Sequence, residues 1–259
     1  MAQTEPPHPT LRGDHTGERV CTTLAWHGGA PPTFALHVAR LQRDAAQIAL
    51  PAPDLHDLAR VLAAQCNGPT RMRVEIVADG GEALLERPLR SVLRVTCVPL
   101  PPLADQAAPA RLLPVAVGLS GASPTAGAKL AALPQHLLAR HSAIAAGFDD
   151  AALLCADGHV VETAIAALLY GLPNGAIGVA PAQCGHVRST TVQGFGAVVP
   201  LVEVALQLAD FATIQWMLMA NAIIGARPVG QLGPHALGPP PPALVEQLHQ
   251  IVGRWPALP

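Results

Sequence analysis

The sequence predicts a mixed α/β (α+β) chain in two parts: a small N-terminal α/β domain, residues 1–115, and a larger C-terminal domain with a β-rich core, residues 116–259. Three observations predict it. The first hundred residues alternate strand-like and helix-like apolar spacing, the stretch 103–124 is rich in Pro, Ala and Gly, and hairpin signals punctuate the second half.

In chain order, residues 20–26 read as a strand. Residues 34–49 and 54–65 read as helices, with Leu36, Ala39, Arg40 and Ala46 in the first and Leu55, Leu58, Val61 and Leu62 in the second at helical spacing. Residues 71–78 and 91–100 are strands, the latter ended by Pro101-Pro102, and a short strand over 113–117 lies in the boundary stretch. A helix opens at Pro134, whose missing N–H costs nothing in a first turn. Leu137, Leu138 and Ile144 form its apolar stripe and Gly147 its C-cap. Residues 151–156 and 159–163 flank Asp157-Gly158, a dipeptide suited to a hairpin turn, and 165–170 and 176–180 flank Pro173-Asn174-Gly175. Residues 187–199 are helical in their first part, although Gly194 and Gly196 weaken the helix. Residues 216–220 form a strand leading into a loop, and the proline-heavy tail from Pro228 holds one last helix over 243–252.

Composition excludes several function classes. Half of the 259 residues are hydrophobic and 13% are charged, so the chain builds a core rather than staying disordered. A net charge of −2 and a pI near 6.6 offer no surface for nucleic acid or anionic membrane. Residues 1–17 are polar and lack the apolar run of a signal peptide, and no apolar stretch is long enough to span a bilayer. Cys21, Cys66, Cys97, Cys155 and Cys184 are odd in number and contain no CxxC pair, which suits a reducing cytoplasm better than a disulfide framework or zinc knuckle. The histidines show no HxxxH or HExxH spacing, so no metal site is expected, and His136 and His141 read as surface positions of their helix.

Lys129 is the only lysine, set among small apolar residues over 125–133, where lost hydration would favour the neutral, nucleophilic amine. Glu162 follows a hairpin and precedes the apolar run 164–169. Arg40 and His37 share a helix face, and a guanidinium matches the fork of a phosphate. Gly185-His186-Val187-Arg188 is a Gly-led turn, and Asn221-Ala222 offers further N–H donors. Alone, each also fits a plain structural use: a solvated lysine or arginine, an edge-strand glutamate, an ordinary turn. In this order, an amine, a carboxylate and a Gly-led turn with an Arg suit a phosphorylated pyridine aldehyde. Residues 118–121 (GLSG) lack the full frame of a serine-hydrolase elbow, and 225–233 matches no dinucleotide fingerprint.

From about Arg12 onward these motifs resemble the class IV fold-type pyridoxal phosphate (PLP) enzymes: branched-chain and D-amino acid aminotransferases and 4-amino-4-deoxychorismate lyase. RGDHTGERVCTT (12–23) looks like R-x-x-x-x-G-D-G-x-F-[ET]-T, HVARL (37–41) like H-x-x-R-L, and GAK (127–129) stands where the family's cofactor-bearing lysine belongs. DGHVVE (157–162) carries the acid of D-G-x-V-x-E, GHVR (185–188) is similar to G-I-[TM]-R, and ANAIIGARPV (220–229) to x-N-[SA]-L-x-G-x-x-P-V. The resemblance implies the two-domain class IV fold and PLP as cofactor. It implies Lys129 and Thr22 as catalytic residues, with Arg40, Glu162, His186, Val187, Asn221 and Ala222 binding the cofactor beside Lys129. It also implies an amino-acid-like substrate and a cytoplasmic homodimer, since family sites form near a subunit interface.

Thr22-Thr23 and Ala220-Asn221-Ala222 lean toward the lyase of folate-type synthesis, which turns 4-amino-4-deoxychorismate into 4-aminobenzoate and pyruvate. An amino-acid aminotransferase is the alternative within the fold, and a catalytically degenerate binding protein the alternative outside that class. Departures from the pattern are Gly17-Glu18-Arg19 for Gly-Asp-Gly, Ala78-Asp79-Gly80 for the usual T-R-G, Ala167 for an asparagine, Ile214-Gln215-Trp216 for A-D-E and Val187 for a hydroxyl.

Overall fold

A computed structural model of the chain describes residues 10–66, 68–82, 85–102 and 108–254. After a single-turn helix, α1 (Arg12–Thr16), strand β1 (Arg19–Trp26) turns Val20, Leu24 and Trp26 into a helix-covered core and Cys21 and Thr23 to its other face. β1 pairs antiparallel with β2 (Thr70–Asp79), and β2 with β3 (Arg90–Pro99), giving a three-stranded sheet. Helices α2 (Phe34–Gln47) and α3 (Leu58–Ala63) join β1 to β2 and lay Leu41, Ala45, Leu58 and Leu62 on Leu24, Met72, Val74 and Ile76. α3 starts four residues later than its spacing predicts; Pro51 and Pro53 hold the preceding chain outside the helical region.

The second sheet has ten strands. In chain order these are β4 (Ala110–Leu119), β5 (Asp150–Cys155), β6 (His159–Thr163), β7 (Ala167–Gly171), β8 (Ile177–Val179), β9 (Leu201–Glu203), β10 (Leu206–Gln207), β11 (Met217–Asn221), β12 (Gly225–Leu232) and β13 (His235–Ala236). They are interleaved with α4 (Pro134–Ala145), α5 (Thr190–Gly196) and α6 (Pro242–Ile251). The order β10-β6-β5-β4-β12-β11-β7-β8-β9 is closed by a further β6–β7 pairing at Glu162↔Ala167. Six strands thus form a ring, and one apolar cluster draws Leu112, Leu154, Val160, Tyr170, Met219 and Val229 from all six. Glu162 sits at the seam of that ring. A cut between 115 and 116 would sever β4, which pairs with β5 and β12; we place the domain division ahead of Ala110 instead, so that each sheet stays whole.

β12 and α4 also differ from the sequence reading. β12 occupies residues expected to be loop and tail, and Pro228 is tolerated there because it pairs with Leu218 of β11 while the ladder to β4 begins only at Val229. On α4 the expected stripe is reversed. His136, Ala139 and Ala143 face inward, whereas Leu137, Leu138 and Ile144 are 54%, 65% and 51% exposed. Close approach to the sheet selects alanine for the inner face. Among the described residues no helix is long and apolar enough to cross a membrane.

Between β7 and β8, a Cβ on Gly178 would run into the ring of fully buried Tyr170. Gly178→Ala is expected to destabilise the fold by about 1–3 kcal/mol through overpacking, read as a lower urea midpoint at unchanged slope.

Candidate functional site

A cavity of about 780 Å³ is walled by β1 and β2 of the small sheet, by α2 and α4, and by β6, β7 and β11 of the large one. Lys129 enters it on a segment stitched to β1: Cys21 N–H donates to Lys129 O at 3.0 Å and Ala131 N–H to Arg19 O at 3.0 Å. From α2, fully buried Asp44 accepts the Lys129 backbone N–H at 2.8 Å while Arg43 neutralises it. Position and orientation of the lysine backbone are therefore fixed by groups other than its amine. Burial pushes the Lys129 pKa below the ordinary lysine value; Arg40 and Arg73 add to the shift and Glu162 opposes it.

Glu162 opens on the same cavity and is 5% exposed. Its Oε1 accepts from His136 Nε2 at 3.1 Å and from the Val187 N–H at 3.1 Å, while Oε2 has no hydrogen-bond partner among the described residues. His136, expected at the surface, is instead 5% exposed and reaches Glu162 because α4 presents its small-residue face to the sheet. Such a bond to a charged carboxylate is worth about 1.5–3 kcal/mol. His136→Ala is expected to lower kcat roughly 10- to 100-fold with KM little changed. His136→Gln, which keeps a donor, should restore part of the loss and so distinguish positioning from packing.

At the other end, the Arg40 guanidinium is 5% exposed, donates to Thr22 Oγ1 and keeps a buried Nε with no partner. Thr22 bonds His37 Nδ1 at 2.6 Å in turn. Since Arg40 can only donate, the Thr22 hydroxyl donates to His37, which carries its proton on Nε2. Thr22, expected to be catalytic, does not line the cavity: the two-residue period of β1 turns it toward α2 and leaves Cys21 and Thr23 on the wall. It supports Arg40 from behind.

Burial, reinforced by Arg40, pushes His37 down to about 3. The unfolded chain therefore binds the extra proton first, so this contribution to stability is full above about pH 6.5 and is lost as pH falls toward 3. Between pH 6.5 and 5 the loss is roughly 2 kcal/mol, and His37→Gln should flatten that slope in urea unfolding measured across the range.

The anion seat differs in detail from expectation. Val187 lines the cavity, but its N–H is taken by Glu162; His186 does not line it, and burial lowers its pKa. Asn221 and Ala222 are on the wall, where Asn221 Oδ1 accepts the N–H groups of Ile223 and Ile224 at 2.8 and 2.9 Å and so shapes the turn that presents Ala222. Missed by the sequence reading is Thr191, 1% exposed, whose Oγ1 has no partner and which lines the cavity beside Ser189 and Thr190. The readable signal was the hydroxyl run just after Gly185-His186-Val187-Arg188.

Lys129, Glu162, Arg40, Val187, Asn221 and Ala222 thus meet on one cavity; Thr22 and His186 do not. A partnerless guanidinium nitrogen and hydroxyl, an open carboxylate oxygen and a desolvated amine suit a phosphorylated pyridine aldehyde. The rim is cationic as well. Arg19 is held by Asp14 at 3.2 Å and Arg73 by Glu75 at 2.8 Å, while exposed Arg71 has no side-chain partner among the described residues.

A model of the amino-transferase class IV family matches residues 19–232. Among solved structures, a putative 4-amino-4-deoxychorismate lyase from Legionella pneumophila is similar with a TM-score of 0.85 at 19% identity, covering 97% of this chain and 96% of that one. A hypothetical aminotransferase from Mycobacterium tuberculosis in its PLP-bound form gives 0.81 at 22% identity, with coverage of 98% and 94%. The branched-chain aminotransferase of Thermoproteus uzoniensis with norvaline gives 0.81 at 17% identity, with coverage of 94% and 89%. At these identities the likeness is one of fold. No curated protein sequence matches the chain.

Proposed function

The chain belongs to the class IV aminotransferase family, and from that premise we propose that it uses pyridoxal phosphate to convert 4-amino-4-deoxychorismate into 4-aminobenzoate and pyruvate. The observation that carries the reading is the meeting of the sole lysine, Lys129, and buried Glu162 on one cavity that Arg40 also lines. Three rim guanidiniums, Arg19, Arg71 and Arg73, support a substrate with two carboxylates. The likeness to the Legionella lyase supports the same choice.

When bound, pyridoxal phosphate supplies an electron sink for a carbon that has lost its proton. Arg40 and Thr191 would hold the phosphate. Glu162 would keep a proton at the pyridine nitrogen, while His136 and the Val187 N–H keep the carboxylate from turning. Lys129 would be the residue that holds the aldehyde end of the cofactor. The Lys129 Nζ, whose pKa burial lowers, would then take the proton from the amine-bearing ring carbon. The bond to the enolpyruvyl oxygen breaks, the ring becomes aromatic and keeps its amine, and the proton returned to the enolate carbon gives pyruvate. Atoms and electrons balance with no oxidant and no water consumed.

Half-exposed Leu137 at the cavity wall and exposed Leu138 beside it form an apolar face that supports a homodimer as the working form. The cytoplasm suits its cysteine pattern. The test is a coupled pyruvate assay on the PLP-loaded protein with 4-amino-4-deoxychorismate and no keto-acid acceptor. Pyruvate forming only when an acceptor is supplied would make it an amino-acid aminotransferase. A protein that gains no visible absorption band on addition of PLP would be a binding protein on this fold.

A further inference from the structure

None of Cys155, His159 and Cys184 lines the cavity, yet their Sγ, Nδ1 and Sγ atoms all lie within 4.8 Å of one another. We propose that these three side chains form a site for a thiophilic divalent cation of the zinc class, distinct from the cofactor cavity. Two sulfurs and one imidazole nitrogen are the donor set that selects such an ion over magnesium or calcium.

One spacing already suits the ion, and the other two, within 4.8 Å, are close enough for side-chain rotation to bring in. Zinc–ligand bonds of about 2.0–2.3 Å at tetrahedral angles put neighbouring ligand atoms roughly 3.5–3.8 Å apart. Cys155 Sγ and His159 Nδ1 are separated by 3.8 Å. Both residues are held by the β5–β6 hairpin, whose turn is closed by Gly158 N–H donating to Cys155 O at 3.0 Å with Gly158 at φ 78°. Cys184 ends a single 3-10 turn, residues 182–184, capped by left-handed Gly185 and pinned by the Gly121 N–H donating to Gln183 O at 2.9 Å. The two cysteines are buried at 3% exposure each, while His159 is half-buried and leaves a path for the ion and a position for water. Burial first, then Cys155 and exposed Asp157 and Glu203, push the Cys184 thiol up to about 12, so an arriving ion has to displace its proton, while the two carboxylates favour a cation.

The site has a structural consequence. Cys184 lies three residues before Val187, whose N–H holds Glu162, and Glu162 sits on the same hairpin as Cys155 and His159. A bound ion would tie together the two segments that fix the acid, raising stability without contributing an atom to the reaction.

The test titrates the reduced, PLP-loaded protein with Zn2+ against a chromophoric chelator and follows Cd2+ uptake by its thiolate absorption. One ion per chain is expected, with a rise in melting temperature. Cys155→Ser and Cys184→Ser should remove it. His159→Ala, a truncation at a partly exposed strand end, should weaken it by roughly tenfold or more. Cys66→Ser and Cys97→Ser should leave it intact. Failure to bind, or binding that survives His159→Ala and both buried-cysteine variants, overturns the proposal. So does a Cys155–Cys184 disulfide that yields, once reduced, a protein taking up no zinc.

Discussion

Lys129→Ala is expected to lower turnover by about 10³-fold or more and to erase the visible absorption band of the PLP-loaded protein. The size follows from the lack of any substitute, because the sequence contains no other lysine. The fold should not suffer. The segment is held by its own backbone, through Cys21, Arg19 and Asp44, and losing a desolvated amine relieves rather than creates strain. Urea unfolding should therefore match the parent, while steady-state kinetics and the absorption spectrum should not. A variant that keeps a tenth of the parent activity, or keeps the band, would remove Lys129 from the chemistry.

The second large effect is expected at Glu162. Glu162→Gln preserves volume and can still accept from His136 and the Val187 N–H, but it removes the negative charge that, in the proposed reaction, would hold a proton at the pyridine nitrogen. Losing one preorganised electrostatic partner costs about 2.7–4 kcal/mol, or roughly 10²- to 10³-fold in kcat. The absorption band should survive, since Lys129 is untouched, although its position should change. Loss of both the band and the fold would instead assign Glu162 to closure of the six-strand ring, where it pairs with Ala167.

Much of this was legible in the sequence because it rests on local chemistry. The Asp157-Gly158 hairpin, the Pro134 start of α4 and the strands around 20–26 and 71–78 follow from turn residues and period. The series Arg40, Lys129, Glu162 was legible through the resemblance of its flanking motifs to the family pattern. Faces were less legible. Leu137, Leu138 and Ile144 would be the buried side of α4 if hydrophobicity alone decided, but close packing on β4 and β5 selected Ala139 and Ala143 and drew His136 inward. Thr22 was misplaced for a related reason, as a strand carries neighbouring residues to opposite faces and motif position alone does not say which. Cys155, His159 and Cys184 left no spacing signal, because a hairpin and a distant turn bring them together only in space.

The stitching of the lysine segment to β1 and α2, set against the acid's seat on the large ring, means that the distance between amine and carboxylate is a property of a joint and not of either half alone. Wear at that joint, for instance at Asp44, should show itself as a slow enzyme long before it shows itself as an unfolded one. A search for tuned variants has reason to begin at these hinges, with the reacting groups left alone.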